Sequence, residues 1–93
     1  MLEIKLIVHG RVQGVGYRHS ILSQIEDEQC MVKGYIWNKP NGTVEIMGQG
    51  TIEELKDLKR FATTGSNSSE VREVEETLNE ISQYSLDGFT IRY

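Results

Sequence analysis

The sequence predicts an α+β domain of the ferredoxin-like, split β-α-β kind. Its elements run β-α-β-β-α-β with a short C-terminal strand, giving an antiparallel sheet with two helices packed on one face. Three observations predict this. Apolar residues alternate at the start of the chain. Two later segments carry apolar residues at helical spacing. A pair of strand-like runs between those segments flanks Asn41-Gly42, a strong hairpin signal.

The first strand rests on Leu2, Ile4, Leu6 and Val8, which are interleaved with Glu3, Lys5 and His9, although Ile7 interrupts the polar face. A glycine-rich bend follows. Ile21, Leu22 and Ile25 then share one helical face, opposite Glu26, Asp27 and Glu28, and this helix is expected to end near Cys30. Residues 32–38 read as the second strand. Pro40 stiffens the loop and prevents a central strand from continuing. Asn41 and Gly42 both tolerate positive φ, and Thr43 to Met47 form the return strand.

The second helix has the clearest signature. Thr51 and Glu54 form a capping box, and Ile52, Leu55, Leu58, Phe61 and Ala62 make one apolar stripe. Glu53 and Glu54 lie in its first turn and Lys59 and Arg60 near its end, as the helix dipole prefers. Gly65 offers a left-handed stop. Val71 and Val74 mark a fourth strand whose three-residue spacing predicts a bulge. Residues 77–86 carry no clear period. Phe89, Ile91 and Tyr93 alternate and close the chain as a short strand.

The 93 residues are read as a single domain, 1–93. A chain of this size buries about 60–65% of its unfolded surface, so the core is small. The net charge of −4 argues against nucleic acid as a partner but allows a local site for a small anion. Cys30 is the only cysteine, so no intrachain disulfide forms and a reducing compartment is expected. No stretch approaches a membrane span and no signal-peptide pattern opens the chain, so a cytoplasmic location is expected. His9, His19 and Cys30 match no metal-ligand spacing, and no metal site is expected. His9 and His19 read as solvated surface residues, Arg11 as a salt-bridge partner at the strand end, and Cys30 as a small packing residue. The glutamates at 70, 73, 75, 76 and 80 read as a solvated face.

The bend GRVQGVGYRHS, residues 10–20, raises the functional question. A strand, a glycine bend and a helix start present backbone N–H groups to an anion, with the helix dipole behind them. Glycine lets a ligand approach the backbone closely. Arg18, at the join, carries a planar fork that matches two phosphate oxygens. By themselves these residues fit either a tight turn with a solvated arginine or an anion cradle. They match neither the Walker loop nor the dinucleotide-binding glycine pattern.

GRVQGVGYR at residues 10–18 resembles the signature loop of acylphosphatases position by position. GYIWNKPNGTV at 34–44 resembles the second signature of that family. The glycines at 48, 50 and 65, and the ending FTIRY at 89–93, also fit. The resemblance spans essentially the whole chain. Four departures stand out: Trp37 where a basic or polar residue is commoner, Asn41 where an acidic one is, no prolines around 66–69, and a longer gap between Arg18 and Asn38 that implies a longer helix end or loop around 26–33.

The resemblance implies metal-independent hydrolysis of the carboxyl–phosphate bond of acyl phosphates, with no cofactor. It assigns phosphate binding to the loop amides of Gln13, Gly14, Val15, Gly16, Tyr17 and Arg18. It gives charge neutralisation to Arg18 and positioning of the attacking water to Asn38. The chemistry tolerates so sparse a site. The leaving carboxylate has a conjugate-acid pKa of roughly 4, so it departs without a general acid. In a loose phosphoryl transfer, fixed donors on the equatorial oxygens and a positioned water supply most of the catalysis. The expected partners are a small-molecule acyl phosphate, and a phosphate or sulfate ion in the loop. Neither nucleic acid nor membrane is expected, and the protein is expected to be a monomer.

Two other classes compete. One is a phosphate- or carbamoyl-phosphate-binding module with little turnover, against which Asn38 and the chain length speak. The other is RNA binding on the same fold, which needs strand aromatics and a basic face; the first strand has no aromatic residue.

Overall fold

The computed structural model describes residues Met1–Tyr93. The elements are β1 (Leu2–Arg11), α1 (Tyr17–Asp27), β2 (Lys33–Asn38), β3 (Val44–Gly50), α2 (Ile52–Thr64), β4 (Glu70–Glu80) and β5 (Phe89–Arg92). All five strands join one sheet in the order β4-β1-β3-β2-β5. β1 runs antiparallel to β3 and β4, and β2 antiparallel to β3. β5 adds to β2 in parallel. The sheet is therefore mixed rather than wholly antiparallel. The cause is the path of residues 81–88, which carry the chain from one edge of the sheet to the other, so that β5 runs alongside β2 in the same direction. Gln49 holds that crossing. Buried in β3, its Oε1 accepts from the backbone N–H of Ser85 and Leu86, and its Nε2 donates to Ser85 Oγ and Glu3.

The core lies between the sheet and the two helices. Ile4, Leu6 and Val8 of β1, Ile36 of β2, and Val44 and Ile46 of β3 point to one side. Ile21 and Ile25 of α1, and Leu55, Leu58, Phe61 and Ala62 of α2, cover them. Truncating Phe61, which is fully buried, would cost about 3–5 kcal/mol. The other side of the sheet carries no helix.

The bulge lies where Val71 and Val74 are out of step. Gly10 pairs with Val71 and His9 with Glu73, leaving Arg72 as the extra residue. A Cβ at Gly10 would lie 2.0 Å from the Glu70 carbonyl oxygen, so the close strand crossing requires glycine. The hairpin differs from the expected form. Only Gly42 has positive φ, at 92°. Its N–H donates to the Lys39 carbonyl at 3.2 Å, with Pro40 and Asn41 as the central turn residues. Pro40 fixes the first of them in a right-handed geometry, so only the following glycine is left-handed.

α2 starts as its sequence requires. Thr51 Oγ1 accepts from the Glu54 N–H, and the Glu54 carboxylate accepts from the Thr51 N–H. α1 ends at Asp27, earlier than the apolar spacing suggested. Gln29 turns left-handed, with φ 53°, and the Cys30 N–H donates back to the Ile25 carbonyl. The added length thus becomes a loop, residues 28–32, rather than more helix.

Candidate functional site

The exit of β1, the start of α1 and the end of β2 meet at one end of the sheet. Val12 is buried and anchors the bend to the core. Gln13 fastens it sideways. Its Nε2 donates to the carbonyls of Lys39 and Thr43, each at 2.8 Å. Those residues flank the hairpin that follows Asn38, so one side chain ties the glycine bend to the strand end carrying the asparagine.

Gly14 and Gly16 have φ of 72° and 75°, and a Cβ at either would meet nothing within 4 Å. Glycine is required here for conformation; the space above it is open to a ligand. Gly16 is the N-cap of α1. No side chain caps this helix, and no acidic residue lies in its first turn. No protein group accepts a hydrogen bond from the backbone N–H of Gln13, Gly14, Val15, Gly16, Tyr17 or Arg18. Six successive donors are thus left unpaired at the positive end of a helix.

The loop is braced from below. The Tyr17 ring is buried, and its hydroxyl donates to the Ala62 carbonyl of α2 at 2.7 Å. Burial pushes that phenol above its ordinary range. Ser66 Oγ donates to the Val15 carbonyl at 3.0 Å, and Ser20 Oγ to the Gly65 carbonyl at 3.1 Å. Ser69 Oγ accepts from the Ser66 N–H and donates to the Ser66 carbonyl, giving the 65–69 loop an order that prolines would otherwise supply. The serine hydroxyls and Gln13 amide are the contacts that the sequence motifs alone did not reveal. Their signal is only that Ser and Gln stand in otherwise turn-forming positions.

Arg18 is half-buried. Its guanidinium donates to the Arg92 carbonyl at 3.3 Å and lies 5.1 Å from the Tyr93 ring centroid. No carboxylate comes within ion-pairing distance of it, so its charge remains uncompensated. Asn38 ends β2, and its Oδ1 is buried without any hydrogen-bond partner. An asparagine before a turn usually bonds its own loop. Here Asn41 performs that task, its Oδ1 accepting from both the N–H and the hydroxyl of Thr43. Trp37 lies on the opposite face of β2, at a surface cavity of about 390 Å³ lined by Tyr35, Glu45, Arg92 and Tyr93.

Arg11 is exposed and makes no ion pair, contrary to expectation; the bulge leaves Glu70 to Arg72 instead. His19 is exposed. His9 is not merely solvated, because its Nε2 meets the Glu75 carboxylate at 2.5 Å. Cys30 packs against the core, and burial raises its thiol pKa.

Residues 4–91 match the family model described as Acylphosphatase. The chain is 41% identical over 91 residues to an acylphosphatase of Bacillus licheniformis, an alignment covering 96% of this chain and 92% of that protein. It is 36% identical over 93 residues to an acylphosphatase of Methanospirillum hungatei, covering 99% and 98%. The crystal structure of acylphosphatase from Bacillus subtilis superposes with a TM-score of 0.87 at 33% identity, covering all of both chains.

Proposed function

The chain belongs to the acylphosphatase family, and on that premise we propose that Arg18, Asn38 and the main-chain amides of Gln13 through Arg18 carry its reaction, hydrolysis of an acyl phosphate to a carboxylate and inorganic phosphate. One observation above all supports this assignment: six consecutive backbone donors have no acceptor within the protein. The three non-bridging oxygens of a phosphoryl group offer the acceptors they lack.

The phosphoryl group settles into the bend. The amides and the α1 dipole take its charge, and the Arg18 fork adds two aligned donors without a competing carboxylate. These groups are fixed before substrate arrives, so little reorganisation accompanies charge spreading in the transition state. Asn38 supplies the second component. A buried carbonyl oxygen without a donor is costly, by about 1–3 kcal/mol, unless something donates to it. A water donating to Oδ1 satisfies it and is held for attack in line with the departing carboxylate. Its proton passes to the bound phosphate. All these groups come from one chain, so a monomer suffices. A lone cysteine fits a cytoplasmic setting, and no helix is long and apolar enough to cross a membrane.

The test is hydrolysis of benzoyl phosphate by the purified protein in the presence of a chelator. Arg18→Ala should weaken inorganic phosphate binding by roughly tenfold to a hundredfold, the scale of hydrogen bonds to charged groups. Arg18→Lys should stay severely impaired, because a point charge lacks the fork. Asn38→Ala should lower kcat by about 10²–10³ while phosphate affinity stays near that of the wild type. Full turnover in the Asn38 variant refutes water positioning. Phosphate binding without turnover in the wild type would point to a binding module instead.

A further inference from the structure

We propose that His9, Glu73 and Glu75 form a binding site for a divalent transition-metal cation, of the zinc or nickel type, on the helix-free face of the sheet. The three residues offer one imidazole nitrogen and two carboxylate oxygens, all within 4.8 Å of one another. His9 and Glu73 are direct partners across β1 and β4, and Glu75 lies two residues along the same face, beside Ile7. The bulge at Arg72 sets this register.

Five acidic groups outside this cluster are already held by cations. Glu28 and Asp57 share Arg60, Glu76 pairs with Lys59, Glu70 with Arg72, and Glu45 with Lys5. Glu73 has no cationic or hydrogen-bonding partner, and Glu75 has only His9. Two carboxylates therefore converge on one imidazole with no lysine or arginine to neutralise them. A dication supplies the missing charge. Bonds of about 2.0–2.2 Å put neighbouring ligand atoms about 3–3.5 Å apart, so the His9–Glu75 hydrogen bond must open and Glu73 must close in, each by an ångström or so. Rotation of half-exposed side chains permits that. The imidazole donor favours borderline metals over calcium and magnesium, which prefer oxygen alone. Three ligands on an open face leave the remaining positions to water. The site lies on the opposite face of the sheet from the helices and Asn38, and includes no residue of the bend, so it is not required for the hydrolysis.

The sequence hides this grouping because 64 positions separate His9 from Glu73, and only the pairing of β1 with β4 unites them. The experiment is calorimetric titration of the untagged protein with zinc chloride, together with thermal melts and NMR of the histidine side chains. Binding should be one to one, raise the melting temperature and shift His9 but not His19. Magnesium should produce neither effect. His9→Ala, Glu73→Gln and Glu75→Gln should each weaken zinc binding about tenfold or more, whereas His19→Ala should not. Hydrolysis in the presence of chelator should be the same in all of them. Absence of binding at millimolar zinc overturns the proposal, as does binding that survives loss of His9 or Glu73.

Discussion

The two helices start in opposite ways. α2 begins with a closed end: Thr51 and Glu54 satisfy each other's backbone, and Glu53 adds charge against the dipole. α1 begins with an open end: Gly16 at the cap position offers no side chain, and no acid follows. A side-chain cap contributes up to about 1 kcal/mol, but Gly16 holds φ 75°, where a serine or aspartate would carry left-handed strain, so α1 forgoes a cap. What distinguishes α1 is how it is held. Tyr17 reaches beneath it to the last turn of α2, and Gln13 and Ser66 secure the bend on either side. Side chains support the loop from outside its concave surface, leaving the amides free. A terminus stabilised from below while open above is preorganised for an anion.

Closing the open end gives the largest expected effect. Gly16→Asp places a carboxylate where nothing now stands within 4 Å, and aspartate tolerates the left-handed backbone better than most residues. Its charge repels the phosphoryl group and occupies the helix end. Acyl phosphate hydrolysis should fall about a hundredfold or more in kcat/KM. Gly16→Asn has the same shape without the charge and should retain distinctly more activity. Equal losses in the two variants would mean that conformation, rather than the field at the helix end, governs the site.

Removing the support from below comes next. Tyr17→Phe deletes the hydroxyl that bonds Ala62 and leaves a buried carbonyl without its donor, at about 1–3 kcal/mol. Alkaline melts sharpen the point. The Tyr17 phenol titrates higher folded than unfolded, so the folded state holds its proton more tightly. The contribution is therefore fully present below the ordinary phenol pKa of about 10 and declines as pH rises above it. The wild type should lose stability more steeply above that pH than Tyr17→Phe does. Parallel stability curves would show that this phenol does not carry the alkaline loss.

At the closed end, Thr51→Ala should cost about 1 kcal/mol in denaturant melts and leave kcat and phosphate affinity unchanged. A change in activity here would break the contrast, since it would mean both helix starts feed the site.

How much of this was readable beforehand varies with the range of the interaction. The capping box, the apolar stripe of α2 and the bulge between Val71 and Val74 depend on residues a few positions apart, and each appears where its spacing predicted. The bend was readable as a chemical possibility through its glycines and Arg18. Its accessories were not. Gln13 finds Lys39 and Thr43, and Ser66 finds Val15, only after the sheet has formed. The parallel seating of β5 depends on a chain crossing organised by the buried Gln49, a residue whose polar side chain suggests exposure. Likewise His9 and Arg11 differ from expectation because their neighbours, Glu73 and Glu70, lie on β4, far along the chain, and only the β1–β4 register with its bulge decides which groups meet.

The helices also differ at their C-terminal ends, and here the expected effect is smallest. α2 stops at Gly65, with φ 64°, where the backbone accepts positive φ without a Cβ penalty. α1 stops through Gln29, with φ 53°, which has one. The Cys30 and Gln29 amides still bond back to Ile25 and Glu26, so the Gln29 geometry is set by a helix-ending pattern that favours glycine. Gln29→Gly relieves about 1 kcal/mol of left-handed strain and loses part of that to the greater freedom of the unfolded chain. The net gain should be about 0.5 kcal/mol, seen as a higher denaturant midpoint with an unchanged slope. Hydrolysis should not change, because Gln29 is at the far end of α1 from the bend. If the substitution destabilised the protein instead, the exposed glutamine would have to contribute a stabilising contact, and the two helix ends would be alike in sequence logic after all.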